Sequence, residues 1–351
     1  VIVTQKKVAE IAGVSQMTVS YALRGSELIA QETRNRVLQV ADQLGYRPNT
    51  SAVAIRQGRF GCVAIVESTV SYRSSLFGGA LFDGVESVLA ARDYHISVVR
   101  MPDEKLTDVA VMPKILRQYM ADGLLLNYFA AVPPQLVELI DRHNIPAVWI
   151  NSKQPHDCVY LDDYGGGRDA AEHLLKLGHR DIAYVDYCCL RESDTLPQSA
   201  IHYSIQSRLK GCADAASEAG VSLRVLHDGR NFMSPATGLE AARRVFAAPD
   251  RPRAFIAYSG ATALQIVQAA TERGLSPVRD YSLIMFEDWT VAPSGLCITT
   301  MRHQWKSVGA AASNMLLKRL EDRDELQSPQ ALRFTLVEGN TCGAPPEPHH
   351  A

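Results

Sequence analysis

Residues 8–25, VAEIAGVSQMTVSYALRG, constrain this chain more than any other stretch. Val8, Ala9, Ile11 and Ala12 predict an apolar stripe at helical spacing. Gly13 stands where that helix should end, because glycine accepts a left-handed backbone at little cost. Val14 plugs the turn, and Ser15 can cap a second helix by accepting a hydrogen bond from a free backbone N–H. Val19, Ala22 and Leu23 give that second helix a buried side. Gln16, Met17, Ser20 and Tyr21 are left outside near its N-terminus, where a helix-turn-helix makes its base-edge contacts. An ordinary helical hairpin in a bundle has the same local pattern, so the stretch alone leaves both readings open.

The flanking sequence favours DNA. Thr33, Arg34, Val37, Leu38, Ala41 and Leu44 outline a third amphipathic helix, ended by Gly45. Over residues 1–59, Lys6, Lys7, Arg24, Arg34, Arg36, Arg47, Arg56 and Arg59 face only Glu10, Glu27, Glu32 and Asp42, in a chain of net charge −2. A basic end on a slightly acidic chain suits a phosphate-facing module. The VAEIAGVS..TVS.AL.G run, followed by GYRPN, resembles the DNA-binding domain of lactose-repressor (LacI) family regulators.

That resemblance implies DNA contacts from Thr4, Ser15, Gln16, Met17, Thr18, Ser20, Tyr21 and Arg24. Gln16 can pair bidentately with adenine and Met17 can touch a thymine methyl. Thr4, Ser15, Thr18 and Ser20 would hold phosphates, and Tyr21 would reach a base or a phosphate. The resemblance also implies a hinge helix over residues 49–58, with Asn49, Ala52 and Ile55 in its pattern. Ten residues make a helix too short to persist alone in water, so two copies would have to support each other on DNA. An apolar pair at position 55 could then wedge a minor-groove step, although Ile55 is stiffer than the family's Leu. A plain linker is the alternative.

A length of 351 residues allows two or three domains. There is no run of eighteen apolar residues, so no membrane span is expected. No signal peptide precedes the basic module, and the expectation is a bacterial cytoplasmic, nucleoid-associated protein. The seven cysteines have no regular spacing, Cys188-Cys189 is vicinal, and no CxxC or HxxxH pattern points to a metal. No Walker-A loop, GxSxG or HExxH is present, so neither an enzyme nor a cofactor is expected. Gly165-Gly166-Gly167 lacks GxGxxG spacing and should let a helix start close to a sheet.

From Gly61 onward strands and helices alternate: CVAIVES, LFDGVESVLAARDY, HISVVRM, and so on to YSLIMFED. Such alternation means parallel sheets covered on both faces. The expected fold class is therefore α/β, with two Rossmann-like subdomains after an N-terminal all-α helix-turn-helix domain; the family resemblance implies that those subdomains form a periplasmic-binding-protein-like effector domain. The expected boundaries are 1–48 for the DNA-binding domain, 49–59 for the hinge, 60–343 for the effector and dimerisation domain, and 344–351 for a tail. Within 60–343, one subdomain takes about 60–161 and 303–327, and the other about 162–302 and 328–343. Val159, Asp162-Asp163, Gly166, His173-Leu174, Arg208 with Gly211, and Ile298-Thr299-Thr300 extend the family resemblance.

In open α/β sheets ligands bind beyond the C-terminal strand ends, which selects Glu67, Asn127, Tyr128, Asn151, Asp186, Tyr187, Ser259 and 286–288. The resemblance narrows the effector contacts to Ser75, Phe77, His202, Ser204, Arg208, Ser259 and Glu287; Tyr128 joins them as a strand-end residue, and Trp149 and Tyr187 as ring-stacking candidates. Trp149, Tyr187 and Phe77 have core packing as their alternative, and Arg208 a salt bridge. The family's Asn-Asp pair is Ser259-Gly260 here, and its Gly-Phe-Asp-Asp is Met285-Phe286-Glu287-Asp288. One acceptor is thus lost and another moved, which weakens the case for a standard sugar; Arg208 could clamp a carboxylate or phosphate instead.

The expected protein is a ligand-responsive transcriptional regulator, a repressor of carbohydrate-related or other catabolic genes. It would bind a palindromic double-stranded operator as a homodimer, with affinity set by a sugar or other small polar metabolite. A solute-binding receptor with no DNA role, or a regulator that has lost small-molecule control, are the competing readings.

Overall fold

The computed structural model describes residues 3–47, 59–68, 79–101, 114–117, 120–128, 132–187, 202–226, 235–292 and 295–345. The chain divides into two compact units, Val1–Gly61 and Cys62–Ala351.

The first unit holds three helices: α1 (Gln5–Ala12), α2 (Gln16–Leu23) and α3 (Gln31–Gln43). Gly13 closes α1 with φ 65°, and Val14 N–H returns to Ala9 O at 3.1 Å, so the turn is built by the left-handed cap. Val8, Ala9, Ala12, Val19, Ala22, Val37 and Ala41 form the core. Ile11 is not part of it, being 49% exposed. The buried stripe runs through 8, 9 and 12, and at about 100° per residue position 11 falls beyond its edge. Leu38 likewise stays outside the core, at 42% exposed.

The second unit contains two six-stranded sheets. In the first the order is β11-β5-β4-β3-β1-β2, with β1 Cys62–Ser68, β2 His95–Met101, β3 Gly123–Asn127, β4 Ala147–Ile150, β5 Cys158–Leu161 and β11 Gln330–Leu332, all parallel. The second runs β12-β10-β9-β8-β6-β7, with β6 Ile182–Val185, β7 Leu223–Leu226, β8 Ala254–Ala257, β9 Ser282–Glu287, β10 Thr299–Arg302 and β12 Thr335–Val337. Only β12 is antiparallel there.

Helices α4 (Gly79–Leu89) and α11 (Trp305–Glu321) cover one face of the first sheet, packing Leu81, Val85, Val308, Ala312 and Leu316 on Val63, Ile65 and Leu125. The short α5 (Lys114–Arg117) and α6 (Pro134–Arg142) cover the other face. Helices α7 (Asp163–Lys176) and α8 (Tyr203–Glu218) pack together beside the second sheet, and α9 (Pro235–Ala247) and α10 (Gly260–Thr271) lie on its opposite face. The glycine run 165–167 serves two purposes. Gly166 lets Phe286 and Phe334 approach α7, as the sequence suggested, while a Cβ on Gly167 would strike the backbone oxygen of Arg208. Gly211 answers from α8, where a Cβ would strike Tyr164 O, so paired glycines set this helix–helix approach.

The chain passes between the sheets after Leu161 and after Arg302. Its last passage lies between Leu332 and Thr335, not at 327/328 as expected, because β11 pairs with β5 through Gln330↔Val159 and Leu332↔Leu161. Three residues make that strand, too short for its sheet partner to be read from periodicity.

Candidate nucleic-acid interface and effector site

The exposed face of the first unit is assembled by helix caps. Thr4 Oγ1 accepts from Lys7 N at 3.4 Å, and Ser15 Oγ accepts from Thr18 N at 3.0 Å. Gln5 Nε2 donates to Gln16 O at 2.8 Å, tying the start of α1 to the start of α2. Gln16 and Met17 project outward from the first turn of α2, and Met17 is 64% exposed. A large apolar side chain held in water on the outer side of a recognition-type helix is available for a groove contact. Thr18, Ser20 and Tyr21 are half-buried beside them. Arg24 donates through Nε to Ser20 O at 3.1 Å and holds its guanidinium 5.4 Å from the Tyr21 ring, so Tyr21 and Arg24 act as one surface. Asn49, Ala52 and Ile55 lie outside the described residues.

In the second unit, polar side chains meet where strands of both sheets end. His202 caps α8, and its Nε2 lies 2.7 Å from Asn151 O beyond β4. A carbonyl only accepts, so Nε2 carries the proton and Nδ1 accepts from Ser204, whose Oγ is 2.7 Å away. Ser204 Oγ lies 2.8 Å from the Tyr258 hydroxyl beyond β8. With the serine proton committed to His202, Tyr258 donates. This polarised relay joins the two sheets; burial depresses the His202 pKa, against the Asn151 bond, which raises it.

Arg208, one turn along α8, is 6% exposed. Its Nε donates to Asp163 Oδ1 at 2.6 Å, Nη1 to Tyr258 O at 2.9 Å, and Nη2 to His303 Nε2 at 3.1 Å. Its guanidinium also sits 4.5 Å from the Phe286 ring and 4.7 Å from that of Tyr258. Burial is the largest single influence and opposes its charge, but Asp163, Tyr258 and Tyr184 together outweigh it and raise its pKa. Because an arginine only donates, His303 accepts at Nε2 and carries its proton on Nδ1, which is buried and unpartnered among the described residues. Burial and the neighbouring Arg208 hold His303 well below the usual histidine range. Trp305 stacks on its ring, with centroids 5.4 Å apart and planes 12° from parallel.

The altered positions form a third cluster. Ser259 caps α10, accepting from Thr262 N at 3.4 Å. Glu287 Oε2 accepts from Gly260 N at 3.2 Å. A Cβ on Gly260 would stand 2.6 Å from Trp289 Cζ2 and 2.7 Å from Glu287 Oε2. The missing side chain at 260 and the longer one at 287 are therefore linked: the Glu287 carboxylate and the Trp289 ring together occupy the space a residue at 260 would need. Burial pushes its pKa up to about 6.

His202, Ser204, Arg208, Ser259 and Glu287 are thus brought into connected clusters. Tyr128, Trp149 and Tyr187 are buried, which is the core packing left open for Trp149 and Tyr187 from the sequence. Strand alternation places Tyr128 and Trp149 on the face of the first sheet beneath α6, where both are fully or nearly fully buried. The same alternation sends Tyr187 into the core against α10. Ser75 and Phe77 lie outside the described residues. Sequence reasoning missed Asp163, Tyr258, His303 and Trp305 as site residues. His303 directly follows β10, so the strand-end rule applied three residues beyond Ile298-Thr299-Thr300 would have found it.

Comparison with known proteins supports both parts. Residues 4–49 match the model of bacterial regulatory proteins of the lacI family, and residues 171–342 match a periplasmic binding protein-like domain. The transcriptional regulator AglR of Rhizobium meliloti is 27% identical, covering 98% of this chain and 96% of that protein. The repressor PurR of Vibrio campbellii is 28% identical, covering 96% and 98%. The lac repressor dimer bound to operator and an anti-inducer superposes with a TM-score of 0.77 at 20% identity, covering 98% of this chain and all of that one. A complex of the regulator CelR with cellobiose has a TM-score of 0.64 at 23% identity, covering 97% of this chain.

Proposed function

Because the chain belongs to the lacI family of DNA-binding transcriptional regulators, with a periplasmic-binding-protein-like effector domain, we propose that it is a repressor of catabolic genes controlled by a small polar metabolite. It binds a palindromic operator as a homodimer, using Gln16, Met17 and Tyr21 to read bases. Residues 49–59 act as the hinge between DNA-binding and effector parts. The effector sits at the strand ends around His202, Ser204, Arg208, Ser259 and Glu287, and changes operator affinity by binding one arrangement of the two halves better than another.

The observation that carries this reading is the capped helix pair presenting Gln16, Met17 and the Tyr21–Arg24 surface, on a chain whose larger unit joins two parallel sheets through polar side chains. A receptor with no DNA role leaves that helix pair without purpose. The test is selection of operators from a random palindrome library by the full-length protein, followed by Gln16→Ala and Tyr21→Ala. Each substitution should relax preference at defined base pairs and weaken binding by about 1–3 kcal/mol. Unchanged affinity and preference in both would remove the assignment of the reading face.

A further inference from the structure

Glu67 and Asn127 end adjacent strands of the first sheet and are direct partners in the β1–β3 register. Both alternate onto the face that carries Val63, Ile65 and Leu125 beneath α4 and α11. Glu67 is 3% exposed and Asn127 1% exposed. Glu67 Oε1 and both side-chain polar atoms of Asn127 are nonetheless without hydrogen-bond partners among the described residues. Buried polar atoms are almost always satisfied, and three unsatisfied ones side by side are costly. They stand at the end of the sheet where α/β proteins take their ligands. What they lack is complementary and specific: a donor for Glu67, a donor for Asn127 Oδ1 and an acceptor for Asn127 Nδ2.

The buried cation of the clusters described above, Arg208, has no positive charge to spare for an anion. Arg208 is neutralised by Asp163 at 2.6 Å and committed to Tyr258 O and His303. In the second sheet, Glu287 at the end of β9 and Asp288 just beyond it add two further carboxylates. Arg100, the direct register partner of Glu67 on β2, is exposed and only partly offsets the burial that raises the Glu67 pKa.

Building on the cleft reading above, we infer that Glu67 and Asn127 form a donor-seeking subsite that selects an uncharged polyhydroxyl or amine-bearing effector and rejects carboxylate- and phosphate-bearing ones. A ligand with two adjacent donors and one acceptor, such as a vicinal diol or an amino alcohol, satisfies all three atoms at once. An anionic group placed there would meet a buried like charge, or require Glu67 to stay protonated. Glu67 is then the residue that determines the charge class of the effector. This departs from the anion clamp that Arg208 suggested from sequence.

The test uses the full chain and matched sugar series: glucose, glucosamine and glucose 6-phosphate; galactose, galactosamine and galacturonate; ribose and ribose 5-phosphate. Thermal stabilisation and operator release are read for the wild type and for Glu67→Gln, a near-isosteric change that removes a buried charge and should leave the free protein at least as stable. Neutral or amine members should stabilise the wild type and alter operator binding. Their anionic counterparts should bind at least about ten-fold more weakly, and Glu67→Gln should shrink that gap. A wild type that responds best to an anionic member, or a Glu67→Gln protein with the same ranking as wild type, overturns the inference while leaving the cleft as effector site. A wild type that responds to no member counts against the cleft reading itself and takes this inference with it.

Discussion

Gly260 and Glu287 give the sharpest test of the site's architecture. Replacing Gly260 with alanine adds one methyl at the start of α10. That carbon would stand 2.6 Å from Trp289 Cζ2, 2.7 Å from Glu287 Oε2 and 3.2 Å from Glu287 Cγ. Helix propensity alone favours alanine over glycine by up to about 1 kcal/mol, less in a first turn. Overpacking costs about 1–3 kcal/mol, so the net expectation is a destabilisation of about 1–2 kcal/mol. Glu287→Asp retracts the carboxylate and loses its bond to Gly260 N, now 3.2 Å, for a cost of about 1–2 kcal/mol. In the double variant the shorter acid removes the carboxylate contacts, leaving only the Trp289 ring to give way. The combined cost should therefore fall short of the sum by at least about 1 kcal/mol, as a double-mutant cycle on urea unfolding midpoints will measure. Additivity within about 0.5 kcal/mol, or a stabilising Gly260→Ala, would refute the claim that the two positions form one packed unit.

Three further outcomes follow from the same geometry. Glu287 has its pKa raised in the folded protein, from an ordinary 4.5 to about 6, so its protonated form is favoured by folding. Its contribution, about 2 kcal/mol, is present in full below pH 4.5 and lost as pH rises through about 6, and Glu287→Gln should flatten stability across that window in a pH series of unfolding curves. Asp163→Asn strands the Arg208 guanidinium, whose side chain is only 8% exposed, and should cost about 3–5 kcal/mol by denaturant unfolding. Ser15→Ala removes the oxygen that accepts from Thr18 N at 3.0 Å, so amide exchange in the first turn of α2 should quicken about five-fold, for a cap worth about 1 kcal/mol.

Local chemistry by itself determined most of the framework. The caps at Thr4 and Ser15, the left-handed Gly13 and the turn at Val14 involve residues within a few positions of one another, so their hydrogen bonds are implied by residue type and spacing. The alternation of strands and helices from residue 61 likewise predicts two parallel sheets, because each element carries its own period. The polar clusters at the strand ends were legible in outline too, since strand C-terminal ends are marked by where an apolar run stops.

Only the tertiary structure decided which side chains at those ends are used and how. Arg208 finds Asp163 45 residues away and His303 95 residues away, and no spacing rule connects them. Trp149 and Tyr187 are apolar bodies with polar tips whose role depends on which face of a sheet they meet, and the helices waiting there bury them. Ile11 fell outside the stripe because the packing partner selects the edge of the helix it covers. Ser259-Gly260 and Glu287 read in sequence as separate losses, yet in space the longer carboxylate and the Trp289 ring fill the place of the missing side chain. Periodicity specifies elements because its forces act within a few residues; partnership between buried polar groups is settled by distances in three dimensions, which only packing of the whole chain creates.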